Sequence, residues 1–371
     1  MAGVLNFSSS PLFRPLSRPR VPNTRVSIKA SSEFSEKPLP STSVSTKEDP
    51  KLGFNPPSNF KPPEPKPFSI RPDKVFDILG ASLALILRLG TGVLFPGMEY
   101  SASFVSESEI PPDEYILEIA GFKVKETSKV GPRPEKPIEI YEFERLNEYV
   151  DFSGYGFSWI TWKPQLSILS EVLDLDVLFY PCPRNGPNFR PKVAQMGGKQ
   201  QFPYMVDPNT GVAMYESDDI IKYWLGNMVI PHYTNLVSVD LFQAVDCFLI
   251  SDGNVPFMLS LGLLTTLTEG FAMIGRMGKG SSYTPSKLPP KPLELWAYEA
   301  SPFCKVVREV IVELELPHIL RSCARGSPKR QLLYQKARHF QAPYLEDPNT
   351  GVKMFESAEI VEYLKATYAL Q

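Results

Sequence analysis

The chain is poor in cysteine, histidine and net charge, and each shortage removes a class of function. Its 371 residues include four cysteines and three histidines. Cys182, Cys247, Cys304 and Cys323 form no C-x-x-C pair and share no metal-ligand spacing with His232, His318 or His339. A disulfide-rich extracellular fold and a zinc or iron site are therefore not expected. The formal charge is −2, and no basic run with interleaved aromatics occurs, so nucleic acid is not the expected partner. Long apolar runs are missing too. The stretches 78–87 and 253–268 fall short of the roughly 20 residues that span a bilayer. They read as helices packed on the rest of the chain, with membrane-surface association the less favoured use.

Proline is the residue in excess. The 38 prolines are about twice ordinary usage, and they concentrate before residue 73. Residues 31–72 hold too few large apolar side chains to offset the entropy of ordering, and they read as a disordered segment. Residues 1–30 contain Arg14, Arg18, Arg20, Arg25 and Lys29, several serines and no acid. That composition is expected of a transit peptide, and it places the mature protein in the chloroplast, most simply the stroma.

The architecture is set by an internal repeat. Residues 203–223 (PYMVDPNTGVAMYESDDIIKY) and 343–363 (PYLEDPNTGVKMFESAEIVEY) are identical at 13 of 21 positions. Upstream, Leu173-Asp174-Leu175 matches Leu314-Glu315-Leu316, and the strand pattern at 138–143 matches that beginning at 293. In the second copy, 293–298 reads as a strand, and Ser301-Pro302 opens a helix. Pro317 ends that helix before a strand at 318–323, and a polar helix follows from about Pro328 to Phe340. Asp347-Pro348-Asn349-Thr350-Gly351 suits a tight hairpin, and a last helix starts near Glu356. The order is βαβαββα, an α/β sheet with helices on both faces.

This order and these motifs resemble the glutathione-transferase N-terminal domain of the thioredoxin superfamily, closely over 292–371 and in part over 137–227. The resemblance implies glutathione as ligand, held by three features. One is a cis proline before the third strand, at Phe202-Pro203 and Ala342-Pro343. The second is a Glu-Ser pair opening the last helix, at Glu216-Ser217 and Glu356-Ser357, where free N–H groups suit a carboxylate. The third is the turn Ser301-Pro302-Phe303-Cys304. Glutaredoxins place an attacking cysteine where Ser301 stands; serine-type transferases use such a hydroxyl to stabilise the glutathione thiolate. Cys304, one turn in, is expected to be acidified at the helix start. Bland readings exist for each: trans turn prolines, simple N-caps, and a core cysteine.

Two departures from the pattern matter. The chain stops at Gln371, just after the last helix, where transferases continue into an all-helical domain, so two tandem thioredoxin-like domains without that domain are expected. In the first repeat the reactive turn is replaced by Ile160–Lys163, behind about 14 extra residues. Residues 228–251, and part of 145–165, read as translated intron.

The expected organisation is a transit peptide (1–30), a disordered segment (31–72), an apolar helix and linker (73–136) and the first domain (137–227). An insert, apolar helix and linker (228–291) then lead to the second domain (292–371). The expected function is glutathione binding with thiol-redox or transferase chemistry at Ser301 and Cys304, acting on glutathione and a protein thiol. A non-catalytic interaction scaffold is the alternative.

Overall fold

The computed structural model describes residues 54–58, 60–66, 69–87, 100–119, 121–142, 169–228, 276 and 278–370. The leader at 1–30, the Ile160–Lys163 turn, the 253–268 stretch and the insert beyond Met228 lie outside these residues.

The segment read as apolar helix and linker forms helix α1 (Val75–Leu87) and a three-stranded antiparallel sheet. Its strands β1 (Ser101–Phe104), β2 (Leu117–Ile119) and β3 (Phe122–Thr127) lie in the order β1-β3-β2. This sheet was not legible beforehand; its strands are three to six residues long and largely exposed.

The first repeat comprises β4 (Ile138–Glu142), a helical tail at 169–172, β5 (Asp176–Pro181) and α2 (Phe189–Gly197). It finishes with β6 (Tyr204–Asp207), β7 (Val212–Tyr215) and α3 (Ser217–Met228). The second repeat comprises β8 (Leu293–Ala297), α4 (Pro302–Glu313), β9 (His318–Ser322) and α5 (Pro328–Ala337). It closes with β10 (Tyr344–Glu346), β11 (Lys353–Met354) and α6 (Ser357–Tyr368). Each repeat is a thioredoxin-like βαβαββα unit with its third strand antiparallel to the first. No all-helical domain follows among the described residues.

The two units share one eight-stranded sheet, ordered β11-β10-β8-β9-β5-β4-β6-β7. The join is the antiparallel pairing of β5 with β9, which sets Val177 opposite Leu320 and Phe179 opposite His318. Pairing these two edges removes the unpaired N–H and C=O groups that an open edge would expose. A single buried cluster then crosses the join, containing Val177, Leu173 and Trp224 from the first repeat and Leu295, Val307 and Ile360 from the second. On the opposite face each repeat has its own smaller cluster, one around Tyr141 and Phe189, the other around Trp296 and Leu333.

A reciprocal pair of caps locks the join. Asp174 and Glu315 end the preceding helices at φ 53° and 52°, and both are buried. Glu315 accepts hydrogen bonds from the backbone N–H groups of Asn188 and Phe189 (3.2 and 3.1 Å) at the start of α2 in the other repeat. Asp174 accepts from Ser327 Oγ (2.5 Å) at the start of α5, and Lys329 Nζ donates to its carbonyl (2.8 Å). Glu315 thereby satisfies orphan N–H donors of α2, while Asp174 acts through the Ser327 hydroxyl that itself caps α5, and each carboxylate opposes the positive end of a helix dipole. The Leu-Asp/Glu-Leu match is thus an inter-repeat fastener.

The repeated Asp-Pro-Asn-Thr-Gly segment is also structural. Asn349 donates its backbone N–H and Nδ2 to Asp347 Oδ1 (2.8 and 2.9 Å), and Tyr363 and Tyr368 donate to Oδ2 (both 2.6 Å). In the first repeat Asn209 and Tyr223 hold Asp207 in the same way. Gly211 and Gly351 close these turns at φ 76° and 78°, where a side chain would be strained.

Part of the proline-rich segment, read from composition as disordered, is instead held against the second repeat. Phe54 packs on Tyr368 and Phe60 on Tyr363, with ring centroids 5.4 and 5.0 Å apart. Arg71 pairs with Glu359 (3.3 Å) and Glu362 (2.9 Å) on α6. Aromatic partners supplied by the folded repeat provide the apolar contact that the segment lacks by itself.

Candidate functional site

The second repeat brings three of its predicted features to the ends of α4, β10 and α6. Ser301, buried at 2 % exposure, is the N-cap of α4, and its Oγ accepts the Cys304 N–H at 3.2 Å. Pro302 follows at the first helical position, where its missing N–H costs nothing. Ala342-Pro343 is cis, as is Phe202-Pro203 in the first repeat. Glu356 stands at the cap position of α6 with φ 73°, and Glu216 holds the matching place with φ 66°. A positive φ at a non-glycine residue is uncommon and marks positions where function or tight geometry outweighs local preference.

The environment of Glu356 is partly filled from within the chain. Its Oε1 accepts from Gln341 Nε2 at 2.9 Å and from the backbone N–H of Lys66 at 2.5 Å. Gln201 makes the matching bond to Glu216. Glu356 makes no side-chain cap bond to α6. Ser357 begins the helix and is buried, whereas Ser217 is half-buried.

Cys304 corrects the sequence reading. It is fully buried beneath the turn, and burial pushes its thiol up to about 12, against opposing hydrogen bonds from Ser301 and Tyr298. The thiol is therefore protonated at neutral pH and is not the acidified nucleophile expected of a helix start. Desolvation has outweighed the helix dipole here. Cys182 and Cys323 are likewise buried, with thiols raised by desolvation, and none of the three forms a disulfide. Among the described residues no group of His, Cys, Asp and Glu could hold a metal ion. No helix among them is long and apolar enough to cross a membrane.

Three contributors to the site region had no sequence signal. Glu171, from the helical tail of the first repeat, accepts the backbone N–H of Glu299 in the loop before Ser301. Its carboxyl is raised well above the usual range, first by burial and then by the nearby Glu299 charge. Tyr298 is packed beneath the guanidinium of Arg330, which also lies 4.9 Å from the centroid of the Phe340 ring. Tyr115, from the small sheet, closes this cluster: its hydroxyl accepts from Arg330 Nη1 at 3.1 Å, and its ring meets Phe340 at 4.7 Å. Sequence separations of 128 and 215 residues left these contacts invisible in the linear pattern.

Topology, cis prolines and cap positions together define a thioredoxin-like fold used twice. Compared with known families, the chain matches the glutathione S-transferase N-terminal domain over residues 162–227 and 295–371. The match falls in both repeats and covers less than half of the chain, and it agrees with the thioredoxin-like fold of both units. No curated protein and no solved structure matched the chain.

Proposed function

We propose that the protein is a plastid glutathione-binding module whose site lies in the second repeat. The observation that carries this reading is the joint presence of Ser301 at the start of α4, cis Ala342-Pro343, and Glu356-Ser357 at the start of α6. In such a site the backbone before Pro343 would pair with the cysteinyl part of glutathione, and the start of α6 would receive its γ-glutamyl carboxylate. The Ser301 hydroxyl would donate to the sulfur and favour the thiolate. Transfer of that thiolate to an electrophile or to a protein disulfide is the chemistry that this arrangement permits. Cys304, buried and protonated, takes no part in it.

A second reading has its own observation. The Lys66 N–H occupies one oxygen of Glu356, and Ser301 is nearly inaccessible, which suits a scaffold without catalysis. Calorimetric titration of the mature chain with glutathione, alongside Ser301→Ala and Glu356→Ala, separates the two. Binding weakened at least tenfold by Glu356→Ala supports the glutathione site. No heat at millimolar glutathione leaves the scaffold, and binding unchanged in both variants overturns the placement. Import of the first 30 residues fused to a fluorescent reporter tests the plastid assignment.

A further inference from the structure

The turn that presents Ser301 is completed by a side chain from the other repeat. The Ser301 N–H donates to the Tyr298 carbonyl at 3.2 Å, and the Lys305 N–H donates to the Ser301 carbonyl at 3.0 Å. Residues 298–301 thus make a β-turn that runs straight into α4, with Glu299 second in it. The turn's own bond joins its first and last residues, so the Glu299 N–H finds no acceptor within it. A buried N–H left unpaired is costly. Glu171, in the helical tail of the first repeat, accepts this one. The Glu299 side chain is held as well, by Arg308 Nη1 from the second turn of α4.

Packing within the first repeat does not call for a carboxyl at this place. By the match of Leu173-Asp174-Leu175 with Leu314-Glu315-Leu316, the counterpart of Glu171 in the second repeat is Val312, which is 5 % exposed. An apolar side chain fills this helix position in the sister unit, whereas Glu171 fills it at 2 % exposure. A buried carboxyl costs free energy that a valine does not, unless it is hydrogen-bonded. The bond it makes crosses to the loop before Ser301, and burial favours its neutral form.

We propose that Glu171 is a positioning residue: the first repeat, which lacks the Ser-Pro-Phe-Cys sequence, sets the turn of the second and with it the place of the Ser301 hydroxyl. What that turn serves rests on the glutathione reading above; that Glu171 holds it does not. The group acts through an accepting oxygen, so an amide of the same shape can replace it. A leucine fills the space, as Val312 does in the sister unit, but leaves the Glu299 N–H without this acceptor.

The thiol beneath the turn reports on it. In the full chain, iodoacetamide labelling of native Cys304 is timed against that of Cys182, which is buried in the Tyr141 cluster on the opposite face of the sheet. Local opening exposes a buried group without unfolding the rest. Glu171→Leu is expected to speed Cys304 labelling about tenfold and to leave Cys182 unchanged. Glu171→Gln is expected to leave both at wild-type rates. Rates that rise together at the two thiols would make Glu171 a general stabiliser and overturn the proposal. An unchanged Cys304 rate, or Glu171→Gln behaving as Glu171→Leu does, would overturn it too. Glutathione calorimetry on the same three proteins separates the two readings. Where the wild type binds, Glu171→Leu is expected to weaken binding at least fivefold and Glu171→Gln to preserve it; equal affinity in all three overturns the proposal. A wild type that binds no glutathione removes the glutathione reading alone, and the Cys304 rates still decide the role of Glu171.

Discussion

Replacing His318 should change how the stability of the protein depends on pH. His318 is 4 % exposed at one end of the inter-repeat join, opposite Phe179, with which its ring stacks at 5.6 Å. Its Nδ1 lies 3.1 Å from the Leu316 carbonyl. Burial pulls its basicity down to about 4, against the partial support of that carbonyl. An exposed histidine in the unfolded chain titrates near 6.5. Between these values the unfolded state binds the proton and the folded state does not, so stability rises with pH through this window. The contribution is fully present above about 6.5 and is lost as pH falls toward 4. From pH 7.5 to 5 the loss from this one group is about 2 kcal/mol. Urea unfolding of the wild type and His318→Phe at both pH values isolates it, since other titrating groups cancel in the difference. The variant loses the carbonyl contact, worth about 1 kcal/mol at any pH, but should lose about 2 kcal/mol less on acidification. Parallel losses in the two proteins would refute the reasoning.

The remaining predictions concern the join, the thiol and the N-terminal segment. Glu315→Ala leaves the start of α2 uncapped and should cost about 2 kcal/mol, measured by urea unfolding; a change under about 0.5 kcal/mol would deny the cap its role. Cys304 should resist alkylation by iodoacetamide at pH 7.5 in the native protein and react fully once it is unfolded. Rapid native labelling, located by peptide mass, would show that the thiol is open to solvent and reagent. Deleting residues 1–66 removes the donor on Glu356 along with the Phe54 and Phe60 contacts. Glutathione affinity, if Glu356 belongs to its site, should then rise several-fold in calorimetry; an unchanged value would mean that the segment does not compete.

What was legible in the sequence was local and repeated. The strand at Leu293–Ala297, the Ser301 cap and the hairpin at Asp347–Gly351 follow from short-range rules, and the structure contains each; the helix expected to stop at Pro317 instead ends at Glu313, where Glu315 turns the chain at φ 52°. The cis bonds at Pro203 and Pro343 followed from their duplicated context in a family-like pattern. What tertiary structure decided was everything that depends on distance along the chain. The β5–β9 join turns two units into one sheet, and it gives the Asp174 and Glu315 caps a role that no linear motif states. The same packing buries Cys304 until desolvation outweighs the helix dipole, so a thiol that reads as reactive from its position is held protonated. It also lays Phe54 and Phe60 on α6, because the apolar surface that orders a proline-rich segment comes from the partner it folds against. Sequence established the elements of the two repeats but not the small β1–β3 sheet; only their assembly determined which groups are buried, charged or free to meet a ligand.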